Sequence, residues 1–136
     1  MLKAKDILDH FLSRAPWVNR RETVDRVIAG DPARPVDRCL VTWMPSQAAL
    51  REAVTRDIPF VICHEPVFYD HWDDHPEREE NANAKVQFIR EHDLTILRLH
   101  DTWDRWPDVG IPWAWARHLG LEGRPKHRSA ADESAS

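Results

Sequence analysis

Cysteine, glycine and tyrosine are scarce: the 136 residues hold two, four and one of them. The two cysteines, Cys39 and Cys63, sit in apolar stretches and do not amount to a disulfide framework, so the expectation is a pair of reduced, buried thiols. There is no Gly-rich phosphate loop, no Gly-x-Ser-x-Gly elbow and no recognisable Ser-His-Asp arrangement, which leaves nucleophilic serine chemistry without support. Long apolar runs are missing too. None approaches the roughly 20 residues that cross a bilayer, and the opening MLKAKDILDH mixes charges where a signal peptide would be purely apolar. A cytoplasmic protein without a membrane partner is therefore expected. Nor is there an excess of positive charge: 19 Lys and Arg against 23 Asp and Glu leave a net −4, so nucleic acid is not an expected partner.

What is present is an ordinary globular mixture, 42% hydrophobic and 31% charged, in a chain long enough for one core. Such a chain buries roughly two-thirds of the surface it exposes when unfolded. Leu2, Ile7, Leu8, Phe11 and Leu12 form one apolar stripe, predicting a helix that ends before Pro16. Thr23 to Ala29 alternates in part and runs into Gly30-Asp31-Pro32, which predicts an edge strand closed by a turn. Asp37 to Met44 reads as a buried strand stopped by Pro45. Ser46 is placed to cap a helix over Gln47 to Arg56, and Pro59 to Cys63 forms the next short strand.

Val67 to Arg78, rich in Asp, His and Pro, predicts a surface loop, followed by a helix over Glu79 to His92 and a strand over Leu94 to Leu99. A last helix, Trp113 to Leu119, ends at Gly120. Strands alternating with helices give an α/β fold: a mostly parallel sheet with flanking helices, built from βαβ units. The α/β domain is expected over 1–122. Residues 123–136 carry no large apolar side chain to offset their ordering entropy and are expected to form a disordered tail.

Two strands end in similar chemistry. Phe60 to Cys63 leads into His64-Glu65-Pro66, and Leu94 to Leu99 leads into His100-Asp101-Thr102-Trp103-Asp104. In a parallel sheet both endings lie on the carboxyl edge, where open α/β sheets bind ligands. Strands one or two places apart are about 5 to 10 Å apart, so these side chains can converge. His, Glu and Asp are ligand types for Zn²⁺, Mn²⁺ or Fe²⁺, and a cation would relieve the repulsion within such a cluster. His100 and Asp104 stand at i, i+4 and share a side if the chain coils after the strand. Pro66 keeps Glu65 extended, and alternation turns Cys63 to the face opposite His64.

Blander readings exist for each residue. Histidines at strand ends often cap loop carbonyls, and Asp101 or Asp104 can pair with Arg98 or Arg105. Asp70 to His75 reads more simply as a solvated loop than as a substrate rim. His118 and Glu122 share His-x-x-x-Glu spacing by chance. Trp103, Trp106, Trp113 and Trp115 can wall an apolar pocket, although core or interface packing is the commoner use of tryptophan.

The segment Phe60-Val61-Ile62-Cys63-His64-Glu65-Pro66-Val67-Phe68-Tyr69, followed by Leu99-His100-Asp101-Thr102-Trp103-Asp104, resembles the NIF-three-like family of dinuclear-metal proteins, often labelled GTP cyclohydrolase 1 type 2 homologues. The resemblance runs from the first helix to about Gly123 and takes in Gly30-Asp31-Pro32, the strand Cys39 to Met44 and Trp115 to Leu121. His-Glu-Pro, in place of the commoner His-His-Pro, is similar to a sister branch of that family. It implies two divalent ions, with His64, Glu65, His100 and Asp104 as metal ligands. Glu65 in place of a histidine favours a harder ion such as Mn²⁺ or Mg²⁺, or frees Glu65 to act as catalytic general base.

Further implications are a hydrolase using a metal-activated water on a nucleotide-like or phosphorylated small molecule, and assembly as a homo-oligomer, a hexamer in the family. Members are about twice this length and take a further His-x-x-x-Glu pair from a C-terminal half. This chain is accordingly expected to be a fragment, a truncated product, or a subunit completed by a C-terminal-half partner. The rival expectation is a metal-binding or interaction subunit without turnover.

Overall fold

A computed structural model describes residues 1–74 and 82–121. Among them are α1 (Ala4–Arg14), β1 (Arg26–Ala29), β2 (Leu40–Thr42), α2 (Gln47–Thr55), β3 (Phe60–Cys63), α3 (Ala82–Glu91), β4 (Thr95–Arg98), α4 (Asp101–Asp104) and α5 (Ile111–His118). The four strands form one sheet in the order β1-β4-β3-β2. β2, β3 and β4 run parallel, and β1 joins β4 antiparallel as the expected edge strand. The sheet is the mostly parallel α/β arrangement anticipated from the alternation of elements.

Alternation along β3 and β4 divides the core between the two faces of the sheet. Val61, Cys63 and Ile96 pack with Leu50 and Ala53 of α2 and Ile89 of α3. Phe60, Leu97 and Leu99 pack with Ala4, Ile7, Leu8 and Phe11 of α1. Local chemistry sets the ends of the elements. The Ser46 hydroxyl accepts from the Ala49 N–H and caps α2. Gly120, with φ +65°, closes α5 in the left-handed conformation. At Gly30, φ is +83° and a Cβ would run into the backbone of Leu94 and Thr95, so the turn after β1 requires glycine on two counts.

Three expectations are corrected. β2 is the other edge of the sheet, not a buried strand: it pairs with β3 alone, and Val41 is 72% exposed. Cys39 lies just before that edge strand and is exposed, whereas Cys63 is buried. The loop after β3 is not a simple surface loop, because Val67, Phe68 and Asp73 are buried within it. Asp73 turns inward and accepts the N–H groups of Val67 and Phe68, and Lys85 donates to the Val67 carbonyl, so these buried backbone groups are paired within the chain. The expected helix start at 79–81, His75, Glu122 and the expected tail lie outside the described residues.

The register places the site. Thr42 pairs with Cys63, and Cys63 with Arg98, so the three parallel strands end in one row. Trp43, His64 and the segment Leu99-His100 then leave the sheet side by side.

Candidate metal centre

His64 is the first residue past β3. Its N–H and that of Glu65 both donate to the Trp43 carbonyl, at 3.1 and 2.9 Å, which ties the exit of β3 to the exit of β2. His100 follows β4 and begins the single turn of α4, where the Asp104 N–H donates to the His100 carbonyl at 2.9 Å. That turn brings His100 and Asp104 to one side, as their spacing predicts.

His64 Nε2 lies 3.2 Å from Asp104 Oδ1, and His100 Nδ1 lies 3.5 Å from Asp104 Oδ2. The two imidazoles stack with ring centres 4.4 Å apart and planes 10° from parallel. One ligand atom from each of His64, His100 and Asp104 falls within 4.8 Å of the others, the spacing a single cation can bridge. Glu65, half-buried beside them, is not part of that three-residue group, although its charge reaches His64.

The two histidines are in different electrostatic states. Burial, then the neighbouring His100, lowers the pKa of His64 and keeps it neutral, the form that offers a lone pair to an ion. Donation of a hydrogen bond from His100 Nδ1 to the Asp101 carboxylate, at 3.1 Å, raises the pKa of His100. Asp101 is itself held down to about 2, chiefly by His100. His64 is only 8% exposed, and among the described residues its Nδ1 has no hydrogen-bond partner. Two imidazoles, one of them neutral with an orphaned nitrogen, and a carboxylate at joint reach form a donor set that fits a borderline divalent ion.

A profile of the Duf34/NIF3 (NGG1p interacting factor 3) family matches residues 2–132. The chain belongs to the Duf34/NIF3 family. Solved structures share this NIF3-like fold. HcgD from Methanocaldococcus jannaschii, in its reduced form, superposes with a TM-score of 0.67 at 19% identity, over 94% of this chain and 51% of its own. A Bacillus cereus protein related to NIF3 gives 0.69 at 18% identity, over 93% of this chain and 36% of its own. The Staphylococcus aureus hypothetical protein SA1388 gives 0.67 at 19%, over 89% and 34%. The chain thus spans about a third to a half of the length of these structures. No curated protein matches it.

Several residues that shape this NIF3-like site carry no signal in the sequence. The buried Asp25 accepts the N–H groups of His100, Asp101 and Thr102 at 2.6, 2.9 and 2.8 Å, and so sets the turn that presents His100 and Asp104. Arg98, fully buried, donates to the carbonyls of His64 and His71 and lies 3.4 Å from Asp73. It does not pair with Asp101 or Asp104. Trp43 lies against His64 with ring centres 4.2 Å apart, and His71 meets His100 edge-on at 5.6 Å. Of the four tryptophans named from the sequence, Trp103 faces the cavity beside His64, Trp106 packs against Phe11 and Trp17, and Trp115 is exposed. Asp73 and Asp101 accept hydrogen bonds from Val67 and Phe68 and from Thr23 and Val24, respectively, and neither belongs to the three-residue group.

Proposed function

We propose that this chain is a divalent-metal-binding domain of a hydrolase acting on a nucleotide-like or phosphorylated small molecule. The observation that carries the reading is the convergence of His64, His100 and Asp104 at the carboxyl edge of the sheet. These three residues would hold the first ion, and Glu65 is either a ligand of a second or the general base. When bound, such ions supply Lewis acidity and bring the pKa of a water towards neutrality. The chain's own contribution is positional. Arg98 and Trp43 fix the loop that bears His64, Asp25 fixes the turn that bears His100 and Asp104, and the low pKa of His64 keeps that ring unprotonated. Glu65, the neighbour of His64 in the chain, is the residue that would accept a proton; its charge reaches His64.

By resemblance, the chain would assemble as a homo-oligomer, a hexamer in the family, or with a partner that supplies further ligands. A second reading, metal binding without turnover, is favoured by one observation: Glu65, the candidate general base, is not among the three side chains that come together.

Elemental analysis of the purified protein and of His64→Ala and His100→Ala tests the site. Stoichiometric metal in the parent, lost in both variants, is expected; metal content unchanged in both would remove the site. A panel of phosphoesters and cyclic nucleotides with added Mn²⁺ then tests turnover, for which Glu65→Gln should lower the rate by about 10²-fold or more. Metal without turnover selects the second reading.

A further inference from the structure

A cavity of about 370 Å³ opens beside the candidate metal centre, lined by Phe11, Val41, Trp43, Ile62, Leu99 and Trp103, with His64 at its polar end. It lies within the size range of small-molecule sites, roughly 300 to 1,000 Å³. Trp43 is 54% exposed although His64 covers one of its faces, and Trp103 is 36% exposed. Large aromatic surface left uncovered at a concave mouth is more than folding requires, because the core of this face is already closed by α1. None of the lining side chains is an Asp, Glu, Lys or Arg. The part of an occupant that enters must therefore be uncharged, and any anionic group it carries must sit at the His64 end, where the cation would be.

We infer that this cavity is a subsite for a planar aromatic ring, held against Trp43 and Trp103, on a small molecule whose anionic group reaches the His64, His100 and Asp104 cluster. The inference rests on the metal-centre reading for the anionic end alone; the ring end stands on the cavity. A flat ring suits the place because indole faces give stacking energy without demanding hydrogen bonds, which this lining has few groups to provide.

The test compares 1-naphthylphosphonate with ethylphosphonate, which share a headgroup and differ in the ring, by calorimetry on the metal-loaded protein. Indole, followed by saturation-transfer NMR on metal-free protein, probes the ring end by itself. The expected result is about tenfold tighter binding of the naphthyl compound, an advantage lost in Trp103→Ala and in Val41→Arg. Val41 is a surface residue of an edge strand, so its replacement leaves the core intact should the tryptophan variant fail to fold. Equal affinity for the two phosphonates overturns the inference. So does an advantage that survives Val41→Arg, or sedimentation showing that Val41→Arg splits an oligomer, which would make this face a contact between copies. If no metal is retained yet indole binds and Val41→Arg abolishes it, the metal-centre reading fails and the subsite stands. Metal retained without indole binding is the reverse.

Discussion

Arg98 illustrates how a single side chain couples stability to the site. Its guanidinium and the Asp73 carboxylate are both fully buried, and its Nε and Nη1 donate to the carbonyls of His64 and His71. Burial raises the pKa of Asp73, partly countered by the Phe68 and Val67 N–H groups and by Arg98. Removing one member of such a pair leaves an uncompensated charge, so Arg98→Met should lower unfolding free energy by about 3 to 5 kcal/mol in urea titration. A loss below about 1 kcal/mol would show that Asp73 is protonated and the pair inert. The cysteines give a second residue-scale test. Burial pushes the Cys63 thiol up to about 12, while Cys39 is exposed. Only the thiolate reacts, so at pH 8 a thiol reagent should modify one cysteine in the native protein and two after denaturation. Rapid reaction of both in the native state would contradict the burial of Cys63. His64 and His100 were legible in the sequence because each follows a strand end with a ligand-type side chain, and Asp104 because it stands four residues after His100. Asp25 and Arg98 were not: their partners lie 75 and 34 residues away, and nothing local marks a carboxylate or guanidinium that serves distant backbone groups.

At the scale of elements, periodicity identified the strands and helices well where burial is complete. β3 is an apolar run, β4 holds Ile96 and Leu97 between the buried Thr95 and Arg98, and the one-turn α4 follows from the His100 to Asp104 spacing. Periodicity failed at β2, because an apolar run has the same appearance in a central strand and in an edge strand with exposed side chains. It also failed in the loop after β3, where a polar composition concealed an inward Asp73. Turn chemistry fared better. Gly30 ends β1 where the strand must bend away over Leu94 and Thr95, just after the register shift between Val27 and Ala29. Gly30→Ala therefore meets both a disfavoured φ and backbone that cannot yield. It should cost at least about 1 to 2 kcal/mol and loosen the β1 to β4 pairing that carries Asp25 towards His100. Amide hydrogen exchange across β1 and β4 checks this; unchanged protection at Arg26 and Arg98 would show that the turn tolerates a side chain.

At the scale of the whole molecule, the described residues form a four-stranded sheet with α1 on one face and α2 and α3 on the other, and the candidate centre lies where β3 and β4 leave it. An ion held by His64 from one strand end and by His100 and Asp104 from the other would cross-link elements that separate only when the central pairing breaks. Binding that exists in the folded state alone stabilises the fold by mass action, by about 2.7 kcal/mol at a hundred times the dissociation constant. For a domain of this size that corresponds to a rise in Tm of about 10 °C. Thermal unfolding of metal-stripped protein, repeated with Zn²⁺ or Mn²⁺ added and again with chelator, should show the rise and its reversal. His64→Ala and His100→Ala should melt at the same temperature with and without the ion, because each removes a strand's attachment to it. A rise that persists in both variants would place the stabilising ion elsewhere in the molecule, and no rise at saturating metal would mean that the three side chains meet for the sake of their own hydrogen bonds.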